Sequence, residues 1–135
     1  MNHRLSQREV AETLSGSPTE CAAALLGSTV MTQVGGDRVS IQLSEVEAYG
    51  GRFDPASHAF GSRTNRNAPM WGPPGTLYVY LSYGIHWCVN IVVGPMNEPN
   101  AVLIRGGVVV QGQGVAERRR GRTDHLSDGP GKVGQ

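Results

Sequence analysis

The sequence predicts an α+β fold in a single domain: a mainly antiparallel, curved β-sheet of the open-barrel or roll type, with short N-terminal helices and a long ordered loop. Three observations support this prediction. Two helix-start signals lie near the N-terminus, several alternating segments typical of strands follow, and residues 50–75 show no period. A chain of 135 residues suits one domain.

A serine is the predicted N-cap of both helices. Ser6 precedes Glu9 by three residues, which is the spacing of a capping box, and a short surface helix is expected to follow. Ser17 stands in the same relation to Glu20. The second helix is expected to stop at Gly27, because glycine favours the left-handed conformation that ends many helices.

Alternation of apolar and polar residues predicts the strands. We expect strands at residues 30–34, 39–49, 76–83, 85–93, 102–105 and 108–110. Residues 35–37 (Gly-Gly-Asp) are a hairpin turn signal, and Tyr83 with Gly84 predicts another turn. Gly106 and Gly107 are expected to split the last two strands. Residues 113–122 predict a short basic helix and residues 127–132 a loop.

Charge and composition narrow the possible functions. The formal net charge is only +1, so any affinity for nucleic acid must come from a local basic patch. Cys21 and Cys88 lack the spacing of a metal site, and we expect both to be reduced and buried, with no metal or cofactor bound. The polar N-terminus lacks the apolar core of a signal peptide, and no run is long enough for a membrane helix, so we expect a cytoplasmic protein.

Residues 47–90 carry most of the chemical character of the chain. All of its two Trp, four Tyr and two Phe lie between Tyr49 and Trp87, interleaved with arginines and histidines. Aromatic rings among cations suit a flat-faced anionic partner, and nucleic acid is the commonest one. The chain contains no Walker A, dinucleotide-binding, zinc-protease or serine-hydrolase motif, so the corresponding enzyme classes lack support.

Glu47 is the strongest candidate for a catalytic carboxylate. It lies two residues from Tyr49 in a predicted strand, so both side chains should project to the same side. Arg105 lies in a mainly apolar run and should have an acidic partner, for which Glu47 is a natural candidate. The alternative is that Glu47 is an ordinary solvated strand residue.

Each of the other candidate site residues also has a purely structural interpretation. Tyr80 and Tyr83 suit stacking platforms for bases, but strand tyrosines more often pack on a sheet. His58 is more often a hydrogen-bonding loop residue than a catalyst. The arginines of residues 118–122 suit either phosphate contact or a solvated helix face.

Several motifs of this segment follow one another in a specific order: EAYG at 47–50, SHA at 57–59, RTNRN at 63–67, PGTLYVY at 74–80, CVN at 88–90 and VLIR at 102–105. With them the chain, from about Cys21 to its last residue, closely resembles the alkyladenine (3-methyladenine) DNA glycosylase family. The resemblance implies an enzyme that flips a damaged purine out of duplex DNA and hydrolyses its N-glycosidic bond, leaving an abasic site.

The resemblance also implies roles for individual residues. Glu47 would be the general base, and Arg105 would help to hold the water. The base pocket would be lined by Tyr49, His58, Tyr80 and Asn90. Tyr83 would intercalate into the DNA. The residues suggested for contact with the DNA backbone are Arg63, Arg66, Arg118, Arg119, Arg122 and Lys132. The implied partner is double-stranded DNA containing alkylated purines. We expect a monomer that resides with the DNA, which in a bacterium would be the nucleoid.

One departure from the family pattern affects the expected activity. Family members usually continue for several dozen residues beyond the segment that corresponds to 129–132, so we expect residues 1–135 to form one glycosylase domain without the usual C-terminal part. A catalytically impaired DNA-binding remnant is therefore an alternative to an active glycosylase. A weaker alternative is an RNA-binding domain that uses the same aromatic surface.

Overall fold

A computed structural model describes residues 3–135; Met1 and Asn2, which belong to the polar N-terminus discussed above, lie outside the described residues. The helices within this range are α1 (Gln7–Thr13), α2 (Pro18–Leu25), α3 (Gln113–Arg120) and the one-turn α4 (Pro130–Val133), with 3-10 turns at Gly51–Phe53 and Ala68–Trp71. The strands are β1 (Thr29–Val34), β2 (Asp37–Tyr49), β3 (Leu77–Ser82), β4 (His86–Val93) and β5 (Asn100–Gln111).

The strands form one antiparallel sheet in the order β1-β2-β5-β4-β3. This confirms the predicted α+β class, its short N-terminal helices and its long loop with helical turns. The described chain divides into two compact units: unit 1 holds the residues up to 24, 48–78 and 90–102, and unit 2 holds residues 25–47, 79–89 and 103–135. The expected single-domain organisation stays a prediction.

In unit 1 both helix starts follow from local hydrogen bonds. The Glu9 amide donates to Ser6 Oγ at 3.3 Å and the Ser6 amide donates to Glu9 Oε2 at 2.8 Å, which completes the predicted capping box. The hydrogen bond from the Ser6 amide to the Glu9 carboxylate, followed by those from the Ser6 hydroxyl and His3, lowers the pKa of Glu9 to about 2. At the second helix the Glu20 amide donates to Ser17 Oγ at 3.2 Å. Capping by nearby side chains therefore fixes where each helix begins.

In unit 2 the β1–β2 hairpin has the predicted turn. Val34 pairs with Asp37, so Gly35 and Gly36 form a two-residue loop, and both have positive φ angles (59° and 87°). Glycine adopts this conformation without steric cost, and the resulting turn matches the twist of a hairpin. The predicted basic helix is confirmed as α3, which ends at Arg120 and is followed by the capping residue Gly121 with φ 66°.

Two predictions for unit 2 are wrong. Gly106 and Gly107 do not split a strand, because β5 continues through them. A Cβ at position 107 would lie 2.7 Å from the Gln42 carbonyl oxygen and would also strike Ile41, so the glycine permits close approach to β2. The predicted C-terminal loop is also partly wrong, since Pro130–Val133 form α4 with a proline in the first turn.

Burial distinguishes the two faces of β3. Tyr78 is only 3% exposed, whereas Leu77 and Val79 on the opposite face are 58% and 45% exposed. Tyr78 therefore lies on the buried face of this strand, and Leu77 and Val79 lie on the exposed face. Cys21 and Cys88 are both free and buried, as predicted. No helix among residues 3–135 has the length and apolar content needed to cross a membrane.

Candidate active site

Glu47 and Arg105 lie on β2 and β5, which are neighbours in the sheet, and both belong to unit 2. Arg105 Nη1 donates to Glu47 Oε2 at 2.9 Å. The expected pairing of Arg105 with Glu47 is confirmed. The pair is not buried, since 40% of the Arg105 side chain and 44% of the Glu47 side chain are exposed, so water and a ligand can reach both groups.

Glu45 is a second carboxylate of this site that the sequence did not single out. Arg105 Nε donates to Glu45 Oε1 at 3.3 Å. We call Glu45, Glu47 and Arg105 the Arg105 cluster. The signal that could have found Glu45 is its spacing, because residues two apart on a strand share a face and one arginine can bind both carboxylates. The hydrogen bond and charge of Glu47, and then those of Glu45, raise the pKa of Arg105.

In unit 1, His58 lies in an irregular segment, residues 57–67, which we call the His58 loop. Its Nδ1 lies 3.1 Å from the Tyr78 hydroxyl, and the two rings meet edge to face with centroids 6.0 Å apart. Desolvation of the ring, followed by the positive charge of Arg66, lowers the pKa of His58 below its ordinary value. A neutral imidazole can serve as an acceptor as well as a donor of hydrogen bonds.

Asn67 organises the His58 loop, although the sequence did not mark it as a site residue. It is 4% exposed, and its Nδ2 donates to the carbonyl oxygens of His58 (2.9 Å) and Ser62 (3.1 Å). Its Oδ1 accepts from the Thr64 amide at 2.6 Å. A buried amide that satisfies three backbone groups replaces the hydrogen bonds that regular secondary structure would supply.

Asn90 and Tyr49, two further candidates for the base pocket, also belong to unit 1. Asn90 is 4% exposed, and its Nδ2 donates to the Tyr78 carbonyl oxygen at 3.3 Å. Tyr78 therefore contacts His58 through its hydroxyl and Asn90 through its backbone. Tyr78 lies in the motif PGTLYVY (74–80), but the sequence did not mark it as a site residue. Tyr49 ends β2 and is half-buried.

Tyr80 and Tyr83 belong to unit 2, where they occupy different environments. Tyr80 is a half-buried residue of β3. Tyr83 lies in the turn between β3 and β4, is 94% exposed and has a positive φ of 50°. A large aromatic side chain in the left-handed region is unusual, and such backbone strain is commonest at functional positions. The predicted turn at Tyr83 and Gly84 is confirmed.

The candidate phosphate-binding cations differ in what they contact. In unit 1, the Arg63 guanidinium lies 5.8 Å from the centre of the Trp71 ring, and Arg66 is exposed. In unit 2, Arg122 pairs with Asp124 at 2.9 Å and Lys132 with Asp128 at 2.8 Å. Hydrogen bonds from Lys132 and His125 lower the pKa of Asp128 to about 2.

The remaining two cations, Arg118 and Arg119, are exposed residues of α3. Arg119 and Lys132 line a mainly apolar cleft of about 120 Å³ in unit 2, together with Ile41, Leu43 and Val109. Within residues 3–135, no three His, Cys, Asp or Glu side chains are grouped in a way that could hold a metal ion.

Comparison with known proteins decides the family. Residues 12–135 match the model of the methylpurine-DNA glycosylase family. The chain belongs to this family. A curated relative from Frankia casuarinae, provisionally named a 3-methyladenine DNA glycosylase, is 50% identical over 116 residues, which cover 84% of this chain and 53% of the relative.

Two further relatives carry the same provisional name. The Cutibacterium acnes protein is 50% identical over 123 residues, which cover 90% of this chain and 62% of the relative. The Nocardia farcinica protein is 49% identical over 131 residues, which cover 91% and 60%. The chain thus spans between about half and three fifths of the length of these relatives. The family resemblance seen in the motifs is confirmed.

Proposed function

We propose that this protein is a base-excision glycosylase for DNA repair, which releases alkylated purines such as 3-methyladenine and leaves an abasic site. The observation that carries the proposal is the Glu47–Arg105 contact at 2.9 Å in a member of the methylpurine-DNA glycosylase family. The pair presents a carboxylate and a fixed cation at a surface that water can reach. The provisional names of the relatives support 3-methyladenine as the substrate.

In the proposed reaction Glu47 acts as the general base. Its carboxylate takes a proton from water, whose oxygen bonds to the sugar C1′ while the electron pair of the N-glycosidic bond moves to the departing purine. Glycoside cleavage usually needs a second carboxyl group as an acid. An N3- or N7-alkylated purine is already cationic and leaves without a proton, so one carboxylate suffices. No metal or other cofactor takes part in this scheme, in which Arg105 holds the water.

In the same proposal, aromatic residues stabilise the state in which the damaged base is flipped out of the duplex. Chemistry on a base within a duplex requires its extrusion, which costs a few kcal/mol. The exposed Tyr83 suits a wedge that fills the gap in the stack. The four residues that would bind the extruded base by stacking and hydrogen bonding are Tyr49, His58, Tyr80 and Asn90. The buried amide of Asn90, held by the Tyr78 carbonyl, suits a fixed barrier to the amino group of guanine.

In the same proposal the protein is a monomer that binds duplex DNA and resides with the DNA in the cytoplasm. Arg63, Arg66, Arg118 and Arg119 are exposed and suit contact with phosphates. Arg122 and Lys132 would have to exchange an aspartate partner for a phosphate, so we expect a smaller contribution from each than from Arg118 and Arg119.

Single-turnover release of 3-methyladenine from a methylated duplex tests the proposal. We expect release by the wild-type chain and a loss of about 10³-fold or more in Glu47→Gln, with little change in binding to a duplex containing an abasic analogue. Glu98→Gln is the control, since Glu98 is an exposed carboxylate in unit 1. If the wild-type chain binds the abasic-analogue duplex normally but releases no base, the proposal is contradicted and a DNA-binding remnant is favoured. A preference for structured RNA over duplex DNA would favour the RNA-binding alternative.

A further inference from the structure

Arg105 is bound at two different nitrogens by two different carboxylates. Nη1 donates to Glu47 at 2.9 Å, and Nε donates to Glu45 at 3.3 Å. Of these two carboxylates, only that of Glu47 has a role in the proposed reaction. We infer that Glu45 is a positioning residue, which holds the guanidinium of Arg105 in the orientation that contacts Glu47. Its consequence for catalysis rests on the proposed function.

The geometry of arginine gives this role its physical basis. The guanidinium is planar and carries five N–H donors in a fixed arrangement. One hydrogen bond, from Nη1 to Glu47, leaves the plane free to rotate about the line between the two atoms. A second hydrogen bond, from Nε to Glu45, fixes the plane. Among the residues that the structure describes, Nη2 has no hydrogen-bond partner and thus remains available for water or a ligand.

The backbone places Glu45 over β5 independently of these hydrogen bonds. A Cβ built at Gly106 would lie 3.6 Å from Glu45 Cβ and 3.7 Å from its Oε2, so the Glu45 side chain lies directly beside the residue that follows Arg105. The Glu45 side chain is 64% exposed, so water competes for its hydrogen bond. Its expected effect is therefore on the orientation of Arg105 and not on the stability of the fold.

Solvent exchange of the Arg105 Nε–H proton tests the contact directly. In the ¹⁵N-labelled 135-residue chain, with the signal assigned from Arg105→Lys, we expect Glu45→Ala to speed exchange about tenfold. Glu45→Gln should stay close to wild type, because its amide oxygen can still accept from Nε. Glu98→Ala is the matched control at an exposed glutamate that forms no hydrogen bond with Arg105. Unchanged exchange in Glu45→Ala would overturn the inference.

The release assay tests the consequence. Glu45→Ala should lower the single-turnover rate about tenfold and leave affinity for the abasic-analogue duplex unchanged, because misplacement of a catalytic group slows the reaction without weakening remote contacts. Glu45→Gln should restore most of the rate. Faster exchange with an unchanged rate would overturn the positioning role. If the wild-type chain releases no base, the proposed function fails, and the exchange measurement alone decides whether Glu45 orients Arg105.

Discussion

The Arg105 cluster and the His58 loop hold their polar groups in place by opposite means. The cluster lies on neighbouring strands, and its three charged side chains are each 40% exposed or more. The His58 loop has little regular structure, and the 4% exposed Asn67 supplies hydrogen bonds that its backbone would otherwise lack. Pairing of the strands satisfies the backbone at the cluster, whereas the backbone of the loop depends on the buried side chain of Asn67.

The largest expected effect on stability is that of Asn67→Ala. The substitution leaves the carbonyl groups of His58 and Ser62 and the amide of Thr64 without their partner inside the protein. We expect the free energy of unfolding to fall by about 2–3 kcal/mol, measured by urea denaturation. Asn65→Ala, at an exposed position of the same loop, should change it by less than about 0.5 kcal/mol. Equal effects of the two changes would contradict the central role of Asn67.

Gly107→Ala tests the strands that carry the Arg105 cluster. The new methyl group would strike Ile41 and lie 2.7 Å from the Gln42 carbonyl oxygen, so we expect a loss of about 1–3 kcal/mol in thermal or urea unfolding. Gly106→Ala is the matched control, because its nearest contacts, with Ser127 and Glu45, are 3.5 Å or longer. A stable Gly107→Ala protein would show that β2 and β5 are not packed as closely as described.

Arg105→Ala should lower the activity much more than the stability of the fold. Because the ion pairs of Arg105 are about half exposed, we expect a loss of less than about 1 kcal/mol in the free energy of unfolding. Under the proposed function the single-turnover rate should nevertheless fall by about 10²-fold. A large loss of stability would mean that the cluster supports the fold, contrary to the comparison with the His58 loop.

The smallest effect concerns protonation in the His58 loop. The pKa of His58 lies below its ordinary 6.5, first through desolvation and then through the charge of Arg66. Between the folded pKa and 6.5 the unfolded chain binds more protons than the folded one, so stability should decrease as the pH falls through this window. Arg66→Gln should raise the pKa of His58 in an NMR titration, whereas Arg63→Gln should not. An unchanged value in Arg66→Gln would exclude Arg66 as a cause.

Much of the fold could be predicted because its signals are local. The Ser6–Glu9 capping box and the turn at Gly35 and Gly36 involve residues close in the chain, and both were predicted from those residues alone. The contact between Glu47 and Arg105 was also predicted, although the two residues are 58 positions apart. An arginine within an apolar run needs an acidic partner, and few carboxylates were available in the predicted strands.

The sequence by itself determined the α+β class, most of the elements, the family and the pairing of Glu47 with Arg105. Only the tertiary structure decided that β5 continues through Gly106 and Gly107, because the neighbouring strand supplies the close contact that makes glycine suitable there. It also decided which face of β3 is buried at Tyr78, that Asn67 supports the His58 loop and that Glu45 joins Arg105. Alternation defines two faces of a strand, but burial and hydrogen-bond partners depend on residues distant in the chain.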